Sequence, residues 1–189
     1  MKRLGRYLID KRRVVTKFVY QSKPSKVVVW VDTDHAGCRE TRKSTTGGVV
    51  KLGEHVLKGW SVTQGVIALS SGEAEFYGIV KGSSVGMGVQ SILGDLGSKV
   101  RLQVLTDSSA AKGIASRRGL GKVRHVEVNQ LWVQEKVADG SIELSKVGGD
   151  VNIADSLTKH VGREILERHM KETNQSVVEG RHVLMPRID

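Results

Sequence analysis

The chain has 189 residues, 39% of them hydrophobic and only 4% aromatic, which suits one domain with short extensions and a core built from Val, Leu and Ile. Its formal charge of +10, from 30 Lys and Arg against 20 Asp and Glu, favours a polyanionic partner such as nucleic acid and a salt-sensitive affinity. A single cysteine, Cys38, excludes an internal disulfide and a Cys-based zinc site, and no apolar run approaches the roughly 18 residues that a membrane span needs.

Residues 1–22 read as a basic amphipathic helix and a link, with Leu4, Tyr7 and Leu8 on one face. Asp10, Lys11, Arg12 and Arg13 interrupt any apolar stretch there, so the start is not a signal peptide. The chain reads as intracellular, cytoplasmic or nuclear, not secreted and with no membrane partner. Pro24 breaks the pattern, and Val27 to Val31 is a β-branched run that predicts a buried strand. Gly47–Leu52 and Val56–Ser61 predict a hairpin turned by Gly53-Glu54-His55.

Ser70 to Leu96 predicts a long helix that opens with a capping box, Ser70-x-x-Glu73. Its interior holds Gly78, Gly82, Gly86 and Gly88, each costing about 1 kcal/mol relative to Ala, which points to a kink or to close packing. A strand over Val100–Thr106, a short helix over Asp107–Ser116 and a helix near Val126–Ala138 follow, the last ended by Gly140. Ile142–Val147 predicts a strand, and Asn152–Thr158 the start of another helix. Three successive strands imply an antiparallel meander, and the later alternation implies parallel pairing, giving a mixed α/β sheet with helices on its faces.

Asp32 ends an apolar strand and shares a face with Val28, Trp30 and Asp34 at period two. Asp107 follows an apolar strand, Glu75 lies early in the long helix, and Asp155 lies near the start of a late one. Four acids at the ends of apolar elements can converge on folding, and clustered carboxylates need a compensating cation. Oxygen-only ligands favour Mg²⁺ or Mn²⁺, and two such ions about 4 Å apart can clamp a phosphodiester. Structural roles compete with this reading. Asp107 before Ser108-Ser109 also fits an N-cap, and Asp155 also fits an N3 acid after Asn152. Glu73 suits the N3 role, which leaves Glu75 the freer carboxylate, and Asp34 rivals Asp32.

At these residues the chain resembles the ribonuclease H domain of Ty1/copia-type retrotransposon polyproteins. The segments that carry the resemblance run in order: 31–37 (VDTDHAG), 42–47 (RKSTTG), 68–77 (ALSSGEAEFY), 106–111 (TDSSAA), Arg124-His125 and 152–159 (NIADSLTK). It covers about residues 26–160 and implies three parts: a basic N-terminal helix and link over 1–25, left from the connection to a polymerase; a ribonuclease H-like domain over 26–160; and a helical, partly disordered tail over 161–189. The implied fold is a mixed five-stranded sheet flanked by helices. The implied catalytic and metal-binding acids are Asp32, Glu75, Asp107 and Asp155, holding two Mg²⁺ ions for which Mn²⁺ can substitute. Departures are His35 in place of a usual Trp, Gly72 in place of a usual Thr, and no His in the loop 148–151.

The implied substrate is an RNA–DNA hybrid, read through its backbone, its groove shape and the 2′-hydroxyls of the RNA strand. Arg42, Lys43 and Ser44 form one candidate grip, and Arg124 and His125 another, with solvated loops as the structural alternative. The expected activity is endonucleolytic hydrolysis of the RNA strand during reverse transcription, with a reverse transcriptase domain in the same parent polyprotein and this chain a fragment or a decayed copy. Two alternatives stand beside it: a catalytically decayed hybrid- or RNA-binding module, and another nuclease of the same broad fold.

Overall fold

A computed structural model describes residues 9, 13–121, 126, 128–180, 182 and 184. The basic helix expected at the start of the chain lies outside the described residues, apart from its last part, where a short strand β1 (Val14–Thr16) is found. The central sheet contains β2 (Lys26–Asp34), β3 (Thr45–Leu52), β4 (His55–Thr63), β5 (Arg101–Thr106) and β6 (Ile142–Lys146), in the order β4-β3-β2-β5-β6. β2, β3 and β4 form the antiparallel meander, while β5 pairs parallel to both β2 and β6. This is the mixed five-stranded sheet flanked by helices that the sequence predicts.

Alternation along β2 explains its place at the centre. Val27, Val29 and Val31 are fully buried on one face, and Asp32 emerges on the other near the strand's end. The buried face is covered by α1 (Ser71–Asp95), which runs unbroken through its glycines. Their reason is close packing. A Cβ at Gly78 would lie 2.7 Å from Thr33 Oγ1, one at Gly82 2.4 Å from Val31 Cγ1, and one at Gly86 2.5 Å from Leu102 Cδ1. Only a helix lacking side chains along this stripe can lie so near the sheet. Gly88 faces open space and shares no such constraint.

The later helices differ from expectation. α2 (Ser109–Ala115) starts two residues after Asp107, and α3 (Trp132–Ala138) is preceded by a single 3₁₀ turn at Val128–Gln130. In place of the helix expected over Asn152–Thr158 there is a 3₁₀ turn at Asp155–Leu157, with another at Gly149–Val151 just before Asn152. Asn152 is the cause. Its Oδ1 accepts from Ala154 N–H at 3.2 Å, an Asx turn that competes with helical hydrogen bonding. Beyond it, α4 (Arg163–Glu172) leads to β7 (Gln175–Val177), which pairs antiparallel with β1.

Both flanks are fastened to the β3–β4 turn. Gln21 Nε2 donates to Leu52 O at 3.0 Å, Glu54 N donates to Gln21 Oε1 at 2.8 Å, and Asn174 Nδ2 donates to Glu54 O at 2.9 Å.

The glycine stripe makes a paired prediction. Gly82→Ala should lower stability by about 1–3 kcal/mol through overpacking against Val31. Gly88→Ala, on the open side, should raise it by about 0.5–1 kcal/mol. Urea unfolding of the two variants checks the contrast in sign.

Candidate active site

Asp32 near the end of β2, Asp107 just after β5 and Asp155 at the start of its 3₁₀ turn come from three elements remote in sequence. Each offers a carboxylate oxygen, and these oxygens all lie within 4.8 Å of one another. The parallel pairing of β2 with β5 brings the first two together. The third is delivered by Asn152, which is fully buried and whose Nδ2 donates to Val31 O at 2.9 Å. The Asp155 turn also lies against β3, where a Cβ at Gly47 would fall 2.9 Å from Leu157 Cβ and 3.1 Å from Ala154 O. Ser61 Oγ of β4 donates to Leu157 O at 2.6 Å. The Thr158 hydroxyl donates to Asp32 Oδ2 and ties the turn to the first acid.

The competing structural roles resolve on geometry. The N-cap of α2 is Ser108, whose Oγ accepts from Ala111 N–H at 3.1 Å, so Asp107 is free of that duty. Glu73 is consumed by capping α1. Its N–H donates to Ser70 Oγ at 3.2 Å, its Oε2 accepts from Leu69 N–H at 2.9 Å, and its Oε1 accepts from the Tyr77 hydroxyl at 3.0 Å. Glu75, two residues on, stands outside the close triad, with Oε2 buried and without a hydrogen-bond partner. Asp34 shares the face of Asp32 but is absent from the triad found among the described residues.

The electrostatics follow from crowding and burial. Burial, with the charges of Asp32 and Asp107, pushes the Glu75 carboxyl up to about 8. Burial also raises Asp32 to about 6, with Asp155 and Asp107 adding and the Thr158 hydrogen bond and Lys159 opposing. Asp107 is raised mainly by burial, against the pull of Lys159. Lys159 Nζ lies 2.6 Å from Asp155 Oδ1. Burial works against its charge, but the hydrogen bond to Asp155 and the charges of Asp32, Asp155 and Asp107 outweigh that and raise its pKa.

The expected substrate contacts are scattered. Arg42 is exposed on the loop after β2 and takes a left-handed backbone, φ 56°, with Lys43 half-buried beside it. Ser44 corrects the expectation. It is fully buried and its Oγ accepts from Ala36 N–H at 3.0 Å, so it shapes the loop and offers no surface to a ligand. Arg124 and His125 lie outside the described residues. Sequence reasoning took only Asp155 from the segment 152–159. It missed Asn152, Thr158 and Lys159, whose signal was their place in that same motif.

No family model matches the chain. It is 29% identical over 140 residues to the retrovirus-related Pol polyprotein from transposon TNT 1-94 of Nicotiana tabacum, a match covering 73% of this chain and 10% of the relative. It is 25% identical over 149 residues to that from transposon RE1 of Arabidopsis thaliana, covering 77% and 10%. Its homologues are transposon Pol polyproteins. The chain spans about a tenth of the length of these Pol relatives. Among solved structures it is similar to the N-terminal RNase H domain of Rv2228c from Mycobacterium tuberculosis, with 24% identity and a TM-score of 0.48 over 78% of this chain and 97% of that one. It is also similar to the protease–reverse transcriptase of prototype foamy virus, with 15% identity and a TM-score of 0.49 over 76% and 22%.

The raised acids set a pH dependence for this Pol-related chain free of metal. A carboxyl whose folded pKa exceeds its unfolded value binds more protons in the folded state, so stability falls as pH rises through that interval. For Glu75 the interval runs from its ordinary 4.5 to about 8. In excess EDTA, Glu75→Gln should therefore raise Tm at pH 8 by several degrees, at about 2–4 °C per kcal/mol for a domain of this size. The gain should vanish near pH 4, and calorimetric scans at the two pH values check it.

Proposed function

We propose that this chain is a ribonuclease H that hydrolyses the RNA strand of RNA–DNA hybrids endonucleolytically, by a two-metal-ion mechanism, during reverse transcription of a transposon. The observation that carries the reading is the convergence of Asp32, Asp107 and Asp155, with the unpartnered Glu75 oxygen beside them, in a chain whose relatives are Pol polyproteins.

The donor set fits hard divalent ions. Oxygens on one octahedral Mg²⁺ lie up to about 4.2 Å apart, close to the spacing of the triad, and every donor is a carboxylate. Asp32, Asp107 and Asp155 would hold the ions, with Glu75 as the fourth ligand. Mg²⁺, or Mn²⁺ in its place, supplies charge that polarises the scissile phosphodiester and makes a water nucleophilic at neutral pH.

The chain's own residues do the rest. Asn152 and Thr158 fix Asp155 and Asp32 relative to each other, so little reorganisation is needed when charge builds up on the phosphate. The Arg39–Lys43 loop follows directly on the strand that bears Asp32, where its cations can reach a nucleic-acid backbone. Such contacts place the substrate, and the RNA 2′-hydroxyls identify the strand to be cut. In the parent polyprotein a reverse transcriptase domain would supply the hybrid.

A gel assay with a labelled hybrid tests this. The wild-type chain should cut the RNA strand in Mg²⁺ or Mn²⁺ and fail in EDTA. Asp107→Asn should lose more than about 100-fold in rate, beyond the 10–100-fold typical of outer-shell partners. Hybrid binding without cleavage in either metal would sink the hydrolase reading and leave a binding module derived from a retroelement.

A further inference from the structure

One cation is ion-paired with the acidic cluster. Lys159 Nζ is 2.6 Å from Asp155 Oδ1, and its side chain is 50% exposed against 14% for its partner. Asp155 in turn has a carboxylate oxygen within 4.8 Å of oxygens of Asp32 and Asp107, so the ammonium borders a cluster of three acids. Lys146 differs. Its Nζ donates to Ser109 Oγ at 2.6 Å. Clustered carboxylates that converge in a fold need a cation, and among the described residues Lys159 is the one ion-paired with them.

We infer that Lys159 is a built-in counter-ion of the carboxylate cluster, which holds the metal-free site together and competes with the divalent ion for it. The inference rests on the metal-binding reading above. An ammonium suits this part because it is a compact point charge on a flexible stem, without the rigid fork that makes Arg a lasting carboxylate partner. The half-exposed side chain has solvent to swing into. A pair with one half-exposed, flexible partner can yield to a divalent ion, which takes carboxylate oxygens directly into its coordination shell. Lys159 would thus set the metal concentration at which the site fills, and would keep the acids from driving their elements apart before it does.

The test uses the full chain without nucleic acid. In calorimetric titration, Lys159→Met should bind Mg²⁺ about five-fold more tightly or better, the weight of one unit charge at about 4 Å in water-like surroundings. Lys159→Arg, which keeps the charge, should stay within about two-fold of wild type. In excess EDTA at pH 8, Lys159→Met should lower Tm, and the loss should shrink in an Asp107→Asn background. Among the described residues Lys159 makes no salt bridge with Asp107, so a simple pair with Asp155 would leave the loss unchanged in that background and overturn the inference. Unchanged Mg²⁺ affinity with weakened hybrid binding would also overturn it, by making Lys159 a substrate contact. If the wild-type chain takes up no Mg²⁺, the hydrolase reading falls, and the EDTA measurement alone decides whether Lys159 is the counter-ion.

Discussion

Three carboxylates held within 4.8 Å of one another repel, and burial of Asp32 strengthens the repulsion by removing water. Much of the surrounding structure opposes it. Asp32 and Asp107 are carried by adjacent parallel strands whose ladder runs in register from Lys26–Arg101 to Trp30–Leu105. Asp155 has no strand to hold it. It depends on the Asn152 amide against the Val31 carbonyl, on the Thr158 hydroxyl at Asp32, and on Ser61 at Leu157 O. Stability given up at a site in this way is recovered from the packing and hydrogen bonds of the elements around it.

The glycines of α1 and Gly47 of β3 serve the same end from opposite faces of the sheet. Close approach at Gly78, one turn on from Glu75, seats α1 against Thr33, the neighbour of Asp32 on β2. The depth of the helix on the sheet therefore sets how near Glu75 comes to the triad. On the other face, a side chain at Gly47 would strike Leu157 and Thr158 and lift the Asp155 turn away from β2. Helix propensity argues against glycine along α1, and packing at the site overrides it.

Local chemistry made part of this legible in the sequence. The β-branched run marked β2, Gly53 marked the hairpin turn and takes φ 60°, and the capping box set Glu73 apart from Glu75. Periodicity cannot separate Asp32 from Asp34, because residues two apart on a strand share a face. What separates them is how far along β2 the Asp155 turn docks, a tertiary fact. The turn itself was misread as a helix because Asn152 looks like an N-cap. Its side chain instead spends one end on Ala154 N–H and the other on a carbonyl far away in sequence. Ser44 was misread in the same manner, since a hydroxyl beside two cations suggests a ligand until burial shows it serving the loop.

Least legible was the tie between the two flanks. β1 and β7 are three residues each, too short for an alternation signal, and no turn residue links segments so far apart. Yet the contacts of these flanks reach the site in few steps. Gln21 cannot reverse its amide without losing both Leu52 O and Glu54 N–H, so the link before β2 is pinned to the β3–β4 turn. Asn174 pins the chain after α4 to the same turn, and Lys51 Nζ on β3 donates to Glu172 O at 2.7 Å. That hairpin is the surface on which the Asp155 turn rests, through Gly47 and Ser61. Residues of both flanks that never approach the carboxylates thus help to hold the hairpin that positions one of them.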